Sequence, residues 1–137
     1  MQDFHELLKG EKFFKKDGFF FQASGEIAQM KNKRGRAGVL LGYEKKNVFH
    51  PTQYLLQKKI SMIKDYVIIS DEVEFLFTCG RDLFEKSVLE KKGISPFVVI
   101  NRKKEVLGIA AERGKIYKNI INIGFYFKEN EMKEVLF

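Results

Sequence analysis

Apolar positions along the chain fall into short runs separated by charged turns, and the spacing inside each run predicts an element. Phe4, Leu7 and Leu8 recur at i, i+3 and i+4, which predicts a short amphipathic helix ending near Gly10, with Asp3 as its cap. GFFFQAS (residues 18–24) is too short and too aromatic for a helix. It follows the turn pair Asp17-Gly18, so it reads as a strand pairing back onto EKFFKK. In GEIAQMKNKRG, Ile27 and Met30 anchor one expected helical turn. The run from Gly38 to Tyr43 reads as a buried strand bounded by glycines, which admit close approach of backbone or ligand. His50 precedes Pro51 and must stay extended. Pro51 then suits the first position of a helix running to about Ile60.

The second half reads mostly as strands. DYVIIS (65–70) is β-branched, and the following Ser-Asp-Glu suits a cap or a turn. In EFLFTCGRDLF (74–84), alternation of Phe75 and Phe77 with Leu76 and Thr78 predicts a strand ending at Gly80. The clearest hairpin joins Phe97–Ile100 to Val106–Ala111 across a charged turn at Asn101–Glu105. KIYKNIINIGFYFKE predicts a last strand with a bulge or turn at Gly124. Short strands with tight turns suit a small barrel or sandwich better than βαβ units. The expected fold class is α+β, with a β-rich part at 65–137 packed as one unit against a short α/β part at 1–64. No internal repeat, low-complexity tract or linker separates the two.

Charge changes this picture because it is uneven. Residues 1–64 hold thirteen Lys and Arg against six Asp and Glu, while residues 65–137 balance, so the whole excess of +7 lies in the first part. Residues 31–46 concentrate six basic side chains around one acid, Glu44. Such a field attracts phosphate backbones; a solvated basic loop is the plainer alternative.

Candidate chemistry is sparse. Cys79 is the sole cysteine, which excludes an internal disulfide and disfavours a thiolate metal site. It reads as a small core residue at a strand end; activation by Arg81 beside it is the alternative. His5 and His50 stand in no metal-ligand spacing, and Asp71, Glu72 and Glu74 read as a solvated turn before they read as a magnesium site. The glycines match neither GxGxxG nor a Walker loop. The expectation is therefore a non-catalytic binding protein without metal or cofactor. No apolar run is long enough to cross a bilayer and the first residues carry early acids, so no membrane partner and a cytoplasmic location are expected.

The order of these signals resembles a known family. GRAGVLLGYEKKNVFHPTQYLL (35–56) is similar to R-x-G-L-x-L-G-x-x-K-K-x-R-F-x-P-S-H-A-L-A in the RNA-binding PUA-like tail of Fmu/Sun-type ribosomal RNA 5-methylcytosine methyltransferases. FLFTCGRDL, VVINRKKEVLGIAAERG and KIYKNIINIGFYF then stand where that tail has Y-L-x-G-x-x-L, a hairpin ending in L-G-x-G-K, and K-N-x-x-P-x-G-L-R. A more distant likeness runs to Nip-type ribosome-assembly factors, and coverage is about residues 18–128. The chain departs at Val48, Thr52-Gln53, Ala110 and Tyr126, and carries nothing of the methyltransferase domain.

The resemblance implies a small mixed-strand PUA-like barrel in the C-terminal half and a module that binds rRNA or tRNA. Its partners would be a methyltransferase or a ribosome-assembly protein; a protein-interaction subunit of such a complex is the alternative. Arg34, Arg36, Lys45 and Lys46 with Asn47 are expected on one side of a groove, Lys115, Lys118 and Asn119 on another, and Arg81 at its rim. Backbone near Gly42, Gly108 and Gly114, and an exposed Tyr43 or Tyr117, would read shape and unstacked bases.

Overall fold

The computed structural model describes residues 4–23 and 39–122. A 3₁₀ turn at Phe4–Leu8 leads into β1 (Phe13–Lys16) and β2 (Phe19–Gln22), joined by Asp17-Gly18, both at positive φ. This two-residue turn matches the twist of its strands, which is why the Asp-Gly pair predicts it. With β3 (Leu40–Lys45) and β4 (Val48–Pro51) they form an antiparallel sheet in chain order. Helix α1 (Gln53–Lys58) and a second 3₁₀ turn (Ile60–Met62) follow.

The second sheet is a curled half-barrel of six strands. Its strands are β5 (Tyr66–Ile69), β6 (Leu83–Phe84), β7 (Val88–Lys92), β8 (Phe97–Ile100), β9 (Val106–Arg113) and β10 (Ile116–Asn122), in the order β6-β10-β9-β8-β5-β7. Among the described residues only β5 and β8 pair in parallel within it. Helix α2 (Asp71–Thr78) lies between β5 and β6 in sequence. The architecture is α+β. No helix among the described residues is long and apolar enough to cross a membrane.

Alternation along β5, β8 and β9 explains their continuous apolar runs. Tyr66, Ile68, Val98, Ile100, Val106 and Ile109 face one side, where Leu7, Leu8, Phe20, Leu41, Phe49, Leu55 and Leu56 cover them. Val67, Ile69, Phe97, Val99, Leu107 and Ala110 face the other, against Phe77, Leu83 and Tyr117. A sheet buried on both faces has no polar face to alternate with. The first of these clusters joins the four-stranded sheet and α1 to the six-stranded sheet in one core.

Several sequence expectations are corrected. The segment expected as a strand over 74–80 is helix α2, because Ser70 and three acids in the first turn favour a helix start, and Val73 and Phe77, four residues apart, both face the core. Phe75 is left 74% exposed. Asp71, Glu72 and Glu74 therefore open a helix instead of forming a turn, and Cys79, expected in the core, is exposed at the helix end. Pro51 closes β4 opposite Gly42 instead of starting the helix. The cap is Thr52, whose hydroxyl accepts from the Leu55 N–H and donates to the Leu40 and Leu41 carbonyls. Strand β7 went unpredicted. The bulge in β10 falls between Asn119 and Ile121. Asp3, the turn at Ile27 and Met30, and Gly124 lie outside the described residues.

Candidate nucleic-acid interface

The basic hairpin of the first half is built by β3 and β4. Lys45 pairs with Val48 across a two-residue turn in which Lys46 and Asn47 both hold positive φ, 53° and 65°. That geometry suits the right-handed twist of the strands, but it favours Asn or Gly at both positions. Asn47 fits; Lys46 does not, and a lysine kept there stands out. Lys45, Lys46 and Asn47 are all exposed. Neither lysine forms an ion pair among the described residues.

The neighbouring acid does not neutralise them. Glu44 is engaged by the His5 ring at 3.1 Å and Lys15 at 3.2 Å, and these hydrogen bonds, the one from His5 first, hold its carboxyl below the usual range. Lys58 and Lys59, by contrast, are paired with Glu11 at 2.7 and 2.9 Å and belong to the fold. On the other face of the hairpin Tyr43 and His50 stack with centroids 4.9 Å apart. Burial first, then the charge of Lys45, pushes the His50 imidazole pKa down. Gly42 admits no ligand: a Cβ there would stand 2.5 Å from the His50 carbonyl oxygen and from the Phe49 ring.

The second group of expected residues divides between two sheet faces. Lys118 pairs with Ala111, on the side of Ile109 and Ile121, and is exposed. Asn119, next in the strand, points to the α2 side, where its amide donates to the carbonyls of Phe77 at 2.7 Å and Arg81 at 3.2 Å. Its backbone N–H donates to Asp82. Arg81 and Asn119 are thus brought together through the main chain, with Asn119 fixing the segment that carries Arg81. Arg81 is exposed and lines a cavity of about 280 Å³ with Leu76, Phe84 and Ser87. Lys115 is exposed in the β9–β10 turn, where Gly114 takes the positive φ of 64°.

Tyr117, expected as an exposed aromatic, is 3% exposed and packs edge-on against Phe97. Gly108 sits in β9 opposite Val99. Arg34 and Arg36 lie outside the described residues. Among the described residues no cluster of three or more His, Cys, Asp and Glu is placed to hold a metal. A second cavity, lined by Tyr66, Glu90 and Lys104 among others, joins segments far apart in sequence and left no mark in it.

No protein-family model matches this sequence, and no curated protein matches it. Solved structures do. A conserved PUA domain protein from Thermoplasma acidophilum superposes with a TM-score of 0.60 at 14% identity, over 88% of this chain and 86% of that one. A hypothetical protein from the hyperthermophilic archaeon Pyrococcus horikoshii OT3 gives 0.54 at 13% identity, over 86% and 78%. A PUA domain from Aeropyrum pernix K1, solved as a tartrate complex, gives 0.51 at 12% identity, over 90% and 83%. At such identities the likeness is one of fold.

Proposed function

We propose that this chain is a non-catalytic RNA-binding module that holds phosphates of rRNA or tRNA in the course of ribosome assembly or RNA modification in the cytoplasm. The observation that carries the reading is Lys46. A lysine held in left-handed backbone at the tip of a hairpin, beside Lys45 and with no acid among the described residues paired to either, presents two cations on one tight turn. The PUA-like architecture supports the same reading.

In this reading Lys45, Lys46 and Asn47, with Arg34 and Arg36 from the preceding basic segment, grip one stretch of backbone. Lys118 takes a phosphate on the Ile109 side of the sheet, Arg81 one on the α2 side, and Lys115 one at the turn between β9 and β10. Asn119 acts through Arg81 by fixing its loop, and Tyr43 stiffens the hairpin by stacking on His50. The cavity beside Arg81, lined by Leu76 and by Phe84, which is 58% exposed, gives an unstacked base an apolar surface next to a cation. Six engaged phosphates give a slope of log affinity against log salt of roughly −4 to −5.

The test is an anisotropy titration with ribosomal and transfer RNA at several salt concentrations, repeated for Lys45→Glu with Lys46→Glu. A slope near zero in the unaltered protein sinks the phosphate mechanism. A second reading, a protein-docking subunit of an assembly or RNA-methyltransferase complex, draws on the exposed Phe75 and Leu76 of α2. Partner pull-down that survives the double charge reversal but falls with Phe75→Ser favours it.

A further inference from the structure

A cavity of about 350 Å³ opens between the 3₁₀ turn at Ile60–Met62 and the adjoining face of the six-stranded sheet, and no residue at it belongs to the phosphate-holding set. Its size is at the lower end of the range for small-ligand sites. Four isoleucines, Ile60, Ile63, Ile68 and Ile100, make its apolar walls, and the polar groups are Tyr66, Glu90 and Lys104.

Sheet register fixes where those polar groups stand. Ile68 is opposite Glu90 on β7 and beside Ile100 on β8, so the three form a row across adjacent strands. The row spans two strand spacings, roughly 10 Å. Glu90 ends it on one side, and Lys104, in the turn that follows β8, stands beyond the other. The Tyr66 hydroxyl donates to Glu90 Oε2 at 3.0 Å, which orients the carboxylate and leaves acceptor positions on it open. The Lys104 main chain is clamped at φ 64°: its N–H donates to the Asn101 carbonyl at 2.9 Å and its carbonyl accepts from Gln57 Nε2 at 3.0 Å. A carboxylate acceptor at one end, a lysine lining the other and isoleucine walls between them form a polarised slot.

We propose that this slot takes a guanine base, from a free nucleotide or extruded from an RNA strand. Guanine carries two adjacent N–H donors at N1 and N2 that a carboxylate can accept together. Its O6 adjoins N1 and its N7 lies on the second ring, so the edge that carries these two acceptors turns away from the carboxylate toward the end of the slot that Lys104 lines. Adenine places a ring acceptor, N1, where the carboxylate needs a donor, and a pyrimidine lacks the second ring that carries the N7 acceptor. The strand form of the inference rests on the RNA reading above; the free-nucleotide form does not.

The test is calorimetric titration of the purified chain with guanosine, adenosine and cytidine 5′-monophosphates, alongside Glu90→Gln and Lys104→Gly. Glycine suits the positive φ of residue 104, so the second variant keeps its turn. Guanosine monophosphate is expected to bind about tenfold or more tightly than the other two, and each variant to lose about tenfold. No guanosine preference, or one unchanged in both variants, overturns the inference. A uridine-only oligonucleotide and the same oligonucleotide with one guanosine separate this result from the phosphate reading. Salt-dependent binding of both without preference defeats the slot and leaves the phosphate reading standing. Guanosine monophosphate binding without oligouridine binding does the reverse.

Discussion

The side-chain amide of Asn119 donates to the Phe77 carbonyl at 2.7 Å, so the last described strand holds the end of a helix 42 residues earlier in the chain. Asn119 stands beside the bulge of β10, and the same amide reaches the Arg81 carbonyl. The end of α2, the Arg81 loop and the edge of the half-barrel are thereby one hydrogen-bonded unit.

Replacing Asn119 with alanine leaves two carbonyls without this donor and is expected to cost about 1–3 kcal/mol. Urea denaturation measures it. In RNA titrations the salt slope should stay unchanged and the affinity fall only modestly, because Asn119 positions Arg81 and does not itself grip phosphate.

Gly42→Ala tests the packing beneath the basic hairpin. The added methyl meets the His50 carbonyl oxygen and the Phe49 ring at 2.5 Å, and the backbone contact cannot give way by rotating a side chain. A loss of about 1–3 kcal/mol is expected, seen as a lower denaturation midpoint.

Lys46→Asn should move stability and binding in opposite directions. Asparagine tolerates left-handed backbone better than lysine, so the fold gains up to about 1 kcal/mol. RNA affinity at low salt falls, and the magnitude of the salt slope drops by roughly one phosphate. A variant that gains neither stability nor loses affinity would show that the lysine is held there for another reason.

His50 gives a pH dependence of definite sign. Burial and Lys45 place its pKa below the ordinary 6.5, so the unfolded chain binds the proton more tightly than the folded one. Its contribution is fully present above about pH 6.5 and is lost as pH falls toward and through the folded value. Thermal midpoints compared at pH 7.5 and pH 5 should fall less in His50→Gln than in the unaltered protein; an equal fall removes His50 as the cause.

Local chemistry was enough for the hairpins. Asp17-Gly18 and the charged turn after Ile100 carry their own backbone preferences, and the runs that flank the second turn, Phe97–Ile100 and Val106–Ala111, are apolar because the sheet buries them. Burial on both sides also made β5 and β8 readable as strands. Helix α2 was not readable, since FLF alternates as a strand does, and whether Phe75 faces core or solvent depends on what lies across from it. Strand β7 shows four of its five residues exposed and so carries no apolar period at all; it exists because β5 offers it an edge.

The basic cluster of the first half was visible as composition, but its residues differ in role by pairing. Lys58 and Lys59 are consumed by Glu11 while Lys45 and Lys46 meet no acid among the described residues, and which lysine meets an acid is settled by packing between segments some 47 residues apart. Glu90, Tyr66 and Lys104 meet for the same reason. Backbone preference and apolar period act over a few neighbouring residues and can be read along the chain. Hydrogen bonds and ion pairs between remote side chains depend on distances that exist once the two sheets have closed on a common core.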